Sequence, residues 1–128
     1  MILIYCYQQM GSDNHKNKHH GQLKKLIMTI KVGINGLGRI GRMIVRAITE
    51  NKYKNIEIKH INNRSSSEVS ASLLKYDSVH GQFKSKVNFD KNNIILNGKK
   101  ITFTQETDIQ KINWKKSNID VVLECTGK

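Results

Sequence analysis

Gly33-Ile34-Asn35-Gly36-Leu37-Gly38-Arg39-Ile40-Gly41-Arg42 is the stretch on which the reading of this chain turns. It carries G-x-G-x-x-G as Gly36, Gly38 and Gly41, directly behind the apolar run Ile30-Lys31-Val32-Gly33-Ile34. Beyond it, Ile40, Ile44, Val45 and Ile48 recur at helical spacing. A strand, a tight glycine turn and a helix N-terminus, in that order, make a site for a pyrophosphate. Gly36 lets the chain turn sharply. Gly38 removes the side chain that would keep a phosphate off the backbone. Gly41 lets the helix lie close on the strand. The N–H groups of the first helical turn then face the anion, assisted by the helix dipole.

Working outward, the pattern predicts a strand over Ile30 to Asn35, a helix over Arg39 to Asn51 and a second strand over Glu57 to Asn62. The serines Ser65 to Ser67 offer caps for a helix carrying Val69, Leu73 and Leu74. Val87 to Phe89 reads as a short strand. Ile94 to Ile101 reads as a hairpin around Asn97-Gly98, a pair suited to a type I′ turn. Ile112 and Trp114 anchor a short surface helix or turn. Ile119 to Glu124 is nearly all apolar, as in a parallel strand buried on both faces. Together these predict an α/β fold: a Rossmann-type, doubly wound parallel sheet with an inserted β-hairpin. The sheet is expected to be incomplete, because such a domain runs to ~150 residues and two mononucleotide halves. The expected organisation is a disordered N-terminal extension over residues 1–27 and a partial dinucleotide-binding domain over 28–128. Gly11 to His20 is polar and aperiodic, and Met28 stands where such a domain would naturally start.

The net charge is +12. The lysines are scattered, with no basic run and little aromatic interleaving, so the charge reads as compositional bias and not as a nucleic-acid surface. It also suits a small anionic ligand. Cys6 and Cys125 have neither disulfide nor zinc spacing, which points to a reducing, cytoplasmic setting. His15, His19 and His20 have no Cys or acid pair to complete a metal site. No apolar run approaches the ~20 residues that span a bilayer.

Three segments carry a family resemblance: the fingerprint itself from Ile30 to Arg42, Leu73 to Phe83 (LLKYDSVHGQF), and Asp120 to Gly127 (DVVLECTG). Together they resemble the N-terminal part of glyceraldehyde-3-phosphate dehydrogenase, over Met28 to Lys128. The erythrose-4-phosphate dehydrogenase branch is similar over the same region. A stand-alone nucleotide- or nucleic-acid-binding module is the reading from a different class. The resemblance implies oxidation and phosphorylation of an aldehyde. A cysteine attacks, a histidine takes the proton, hydride passes to a nicotinamide, and phosphate cleaves the thioester. In the family both catalytic residues lie C-terminal to the positions matched here, so these residues alone are expected to be inactive. Cys125 is expected to be a packed thiol and His80 to hold a loop. Full-length members are homo-oligomers, which implies association or a partner chain.

The resemblance also assigns the cofactor contacts. Backbone N–H groups of Arg39 and Ile40 hold the pyrophosphate, and Asn35, Gly36, Leu37 and Gly38 line the same turn. Asn62 meets the adenosine half, and Thr126 and Gly127 lie beside the adenine. Two positions depart from the family. An acid is usual at position 63, where this chain has Asn63 followed by Arg64 and three serines. A neutral residue followed by arginine accepts a 2′-phosphate that an acid repels, so the cofactor is expected to be NAD or NADP, with NADP tolerated or preferred. Thr107 stands where the family often has arginine near the adenine.

Overall fold

The computed structural model describes residues 3–6, 29–51, 53–77 and 81–127. Its elements are β1 (Leu3–Cys6), β2 (Ile30–Asn35), α1 (Arg39–Asn51), β3 (Ile56–Asn62), α2 (Ser67–Lys75), β4 (Tyr76–Asp77), β5 (Gly81–Gln82), β6 (Val87–Asp90), β7 (Asn93–Leu96), β8 (Lys99–Thr104) and β9 (Val121–Glu124). Two 3-10 turns, Ile109–Lys111 and Lys115–Ser117, lead into β9. A seven-stranded sheet runs in the order β1-β9-β2-β3-β8-β7-β6. Strands β9, β2, β3 and β8 are mutually parallel, and β7 and β6 fold back antiparallel as the inserted hairpin.

The chain moves from β2 outward to β3 and β8, then returns to the other side of β2 as β9. That reversal between β2 and β9 is the switch point of a doubly wound sheet, where the carboxyl ends of neighbouring strands part and leave a crevice. The incomplete Rossmann-type fold read from the sequence is therefore the fold observed.

Local chemistry accounts for the elements. Ser66 caps α2, its hydroxyl accepting the Val69 N–H at 3.2 Å. Asn97 and Gly98 take φ of 52° and 83°, as a type I′ turn requires. The sheet's two faces differ in character. Val32 and Ile34 of β2, Ile58 and Ile61 of β3 and Phe103 of β8 are buried in the main core, which also holds Val45 of α1 and Leu74 of α2. Side chains alternate along a strand, and β3 carries a bulge where Val32 opposite Ile58 gives way to Gly33 opposite His60, which restores the phase beyond it. Gly33, Asn35, His60, Asn62 and Thr104 therefore belong to the other face. Ile112, Trp114, Ile119 and Val122 form a second, smaller cluster. Trp114 lies against Gly33, where an added Cβ would stand 2.7 Å from the indole.

Three differences from the sequence reading have physical causes. Strand β3 starts at Ile56, because Ile30 and Ile56 pair at the start of the ladder. Strand β9 is shorter than the apolar run: Ile119 is buried in the satellite cluster, and only Val121–Glu124 is ladder. Burial along it alternates between full and partial and is not complete on both faces. Within the extension expected to be disordered, Leu3–Cys6 pairs antiparallel with β9, from Leu3 opposite Glu124 to Cys6 opposite Val121. An outer edge of β9 would otherwise present unpaired backbone groups, and a short extended segment satisfies them. Gly11 to His20, the three extension histidines, His80 and Lys128 lie outside the described residues.

Candidate dinucleotide cleft

The crevice at the switch point has a volume of about 280 Å³. Its lining includes Asn35, Gly36 and Gly38 from the end of β2, Asn62, Asn63 and Arg64 after β3, Glu106, Thr107 and Ile109 after β8, and Glu124, Cys125 and Thr126 at the end of β9. Seven of the sequence-assigned positions thus meet here: Asn35, Gly36, Gly38, Asn62, Asn63, Arg64 and Thr126.

The glycine turn has the required geometry. Gly36 sits at φ +98°, and a Cβ there would lie 3.0 Å from Thr126. Gly38 has open space around its missing side chain. A Cβ on Gly41 would collide with the Gly36 carbonyl oxygen, so helix and turn touch backbone to backbone. The bond from Arg42 N–H to the Gly38 carbonyl, 2.9 Å, opens the helical ladder. The N–H groups of Arg39 and Ile40 precede it in the first turn, where a helix leaves its N–H groups without intrahelical acceptors, which is the condition for holding an anion. The Arg39 side chain is exposed and Ile40 packs partly against the core. Leu37 is different: its side chain is a core residue, 2% exposed, and its N–H donates to Asn63 Oδ1 at 3.2 Å. Gly127 takes φ +77° beyond the crevice.

Asn63 braces the turn. Its oxygen receives the Leu37 N–H and its Nδ2 donates to Ser70 Oγ at 3.0 Å. Arg64 is exposed at the rim, where its carbonyl accepts from Gln105 Nε2 at 2.8 Å.

The floor is a row of side chains that the sheet register sets side by side. Asn35 pairs with Asn62 on one flank and Glu124 on the other, and Asn62 pairs with Thr104. Asn35 Nδ2 donates to Glu124 Oε2 at 2.8 Å. Asn62 Nδ2 donates to Asn35 Oδ1 and to the Glu106 carbonyl, both at 2.9 Å. Asn62 Oδ1 accepts from Thr104 Oγ1 at 2.7 Å and from Glu106 N–H at 2.9 Å. Glu124 Oε1 accepts from the Thr126 hydroxyl at 2.7 Å and its N–H at 3.2 Å. The buried carboxylate is thus satisfied by three donors from this row and its flank.

Sequence reasoning did not single out Glu106, Ile109, Glu124 or His60. A signal was present for two of them: a buried parallel strand is normally apolar, and His60 on β3 and Glu124 on β9 interrupt that rule. Cys125 is buried as expected. Burial, with the adjacent Glu124 charge, pushes its thiol above the usual range, which suits a packing role and not a nucleophile's. Among the described residues no cluster of His, Cys, Asp and Glu could hold a metal ion, and no helix is long and apolar enough to cross a membrane.

Comparison with known proteins gives this geometry a family. A sequence profile described as "Glyceraldehyde 3-phosphate dehydrogenase, NAD binding domain" matches residues 30–128. The glyceraldehyde-3-phosphate dehydrogenase of Buchnera aphidicola subsp. Schizaphis graminum is 50% identical over 100 residues, 78% of this chain and 30% of that protein. That of Bacteroides fragilis is 48% identical over 98 residues, 77% of this chain and 29% of the relative. Glyceraldehyde-3-phosphate dehydrogenase 1 of Bacillus subtilis is 43% identical over 100 residues, with shares of 78% and 29%. The chain therefore spans about 30% of the length of the relatives it matches, within their NAD-binding part. With the strand–glycine turn–helix crevice at the switch point and this match from Ile30 onward, the chain belongs to the glyceraldehyde-3-phosphate dehydrogenase family as its NAD-binding domain.

Proposed function

We propose that residues 28–128 are the cofactor-holding portion of a phosphorylating glyceraldehyde-3-phosphate dehydrogenase, acting in the cytoplasm together with a catalytic domain that supplies the thiol and the base. The observation that carries this reading is the open glycine turn. Gly38 leaves room for a phosphate, and the N–H groups of Arg39 and Ile40 precede the first helical bond. The bound nicotinamide supplies hydride acceptance. The chain's own part is to grip the pyrophosphate and orient the adenosine half over Asn62. In this reading, association with further copies or with a partner chain completes the enzyme.

The cleft also suits NADP. Asn63 brings no negative charge to the site, and its polar atoms are already committed to Leu37 and Ser70. Arg64 stands exposed on the rim, able to meet a 2′-phosphate. One charge-assisted contact is worth roughly 1.5–3 kcal/mol, enough to shift preference by a factor of about ten to a hundred. Calorimetric titration with NAD and NADP tests both parts. Binding of either cofactor, weakened by Gly38→Val, supports the cleft. NADP binding at least as tightly as NAD, with Asn63→Asp restoring NAD preference, supports the second part. NAD binding about tenfold tighter than NADP to the unaltered chain would overturn it.

A further inference from the structure

The row of hydrogen bonds on the cleft floor does not end at Thr104. His60, one position pair below Asn62 on the same face of β3, is 2% exposed and reaches Thr104 Oγ1 through Nε2 at 2.9 Å. Its Nδ1 lies 2.9 Å from Ser117 Oγ, on the turn before β9. Its ring lies 4.6 Å from that of Trp114, tilted by 56°.

Hydrogen counting fixes the direction of every bond in this row. Thr104 has one hydroxyl proton, and that proton goes to Asn62 Oδ1. Thr104 must therefore accept from His60, so Nε2 carries the hydrogen and Nδ1 is the acceptor of the Ser117 hydroxyl. From there each group donates onward. Thr104 gives to Asn62, Asn62 to Asn35 and Asn35 to Glu124, the terminal acceptor. Bonds aligned head to tail polarise one another, and their order is set from the donor end.

We propose that His60 is a positioning residue of the cofactor cleft, which fixes the rotation of the Asn62 and Asn35 amides by occupying the acceptor site of Thr104. Without the Nε2–H donor, the Thr104 hydroxyl is free to turn its proton away from Asn62. The Asn62 amide then loses one of the two donors that hold its oxygen in place. Both asparagines line the crevice, so their orientation sets the polar pattern presented to the adenosine half of the ligand. His60 can carry out this role because it is itself held on three sides, by Thr104, Ser117 and the Trp114 ring. This inference rests on the dinucleotide reading of the cleft.

The test is calorimetric titration of the 128-residue chain with NAD, using wild type, His60→Leu, Thr104→Val, the double variant and His60→Gln. Thr104→Val cuts the row while leaving His60 and the packing in place, so it stands in where His60→Leu fails to fold. Each single variant is expected to lose affinity by about three- to tenfold, the scale of one neutral hydrogen bond. The double variant should lose no more than either single one, because both cut the same row. His60→Gln, which restores a donor and an acceptor, should recover most of the loss. Affinity unchanged by Thr104→Val, losses that multiply in the double variant, or no rescue by glutamine would each overturn the role of His60 while leaving the cleft intact. Absence of NAD binding by wild type would instead remove the dinucleotide reading, and the role of His60 with it.

Discussion

Acidification should destabilise this protein through His60. The imidazole is enclosed by Thr104, Ser117 and Trp114, and burial lowers its pKa from 6.5 to about 4. The unfolded chain therefore binds this proton more readily than the folded one. The neutral ring's contribution is complete above pH 6.5, is lost as pH falls from 6.5 toward 4, and declines no further below. Lowering a pKa by one pH unit corresponds to about 1.4 kcal/mol, so the window removes roughly 3 kcal/mol. A domain this small has about 5–15 kcal/mol in all, so the loss is large. Asp90, held below the usual carboxylate range by the Asn92 N–H and the Asn93 side chain, titrates beneath this window and does not confuse it. Urea unfolding followed through the single tryptophan, Trp114, measures the effect at steps between about pH 7.5 and 4. Subtracting the His60→Gln curve removes the background of other groups. The difference should fall by roughly 3 kcal/mol across the window. A difference flat to within about 0.5 kcal/mol would show that His60 is not held neutral by burial.

Two further outcomes follow from backbone contacts. Gly41→Ala places a methyl against the Gly36 carbonyl oxygen and should cost about 2 kcal/mol or more, together with cofactor binding; melting and titration both read it, and wild-type behaviour in both would contradict the close helix–turn approach. Deleting residues 1–7 removes the strand paired with β9, so hydrogen exchange should accelerate at those amides of Val121 to Glu124 that face β1, while those facing β2 stay protected; unchanged exchange across β9 would show that the pairing contributes nothing.

The parallel core and the location of the cleft were legible in the residues alone. The reason is that those features depend on local chemistry. The glycine spacing at Gly36, Gly38 and Gly41 sets a turn, the apolar period sets α1, and Asn97-Gly98 sets the hairpin, each within a few residues of chain. The resemblance placed Asn62, Asn63, Arg64 and Thr126 around that turn, and the structure brings them to one crevice. How those side chains are used depends on contacts made across the fold. Leu37 reads as a site residue, but its side chain is buried in the core, while its N–H donates to Asn63 and its carbonyl accepts from Arg42 Nη1. Asn63, expected among the cofactor contacts, lines the crevice and also braces Leu37 against Ser70, positions far apart in sequence. The edge strand Leu3–Cys6 was illegible, since four residues carry no period of their own and gain order only from the open edge of β9. The floor from Glu124 to His60 was illegible for a related reason. It runs across four strands at right angles to the chain, and its partners meet only when the register of β9, β2, β3 and β8 is set.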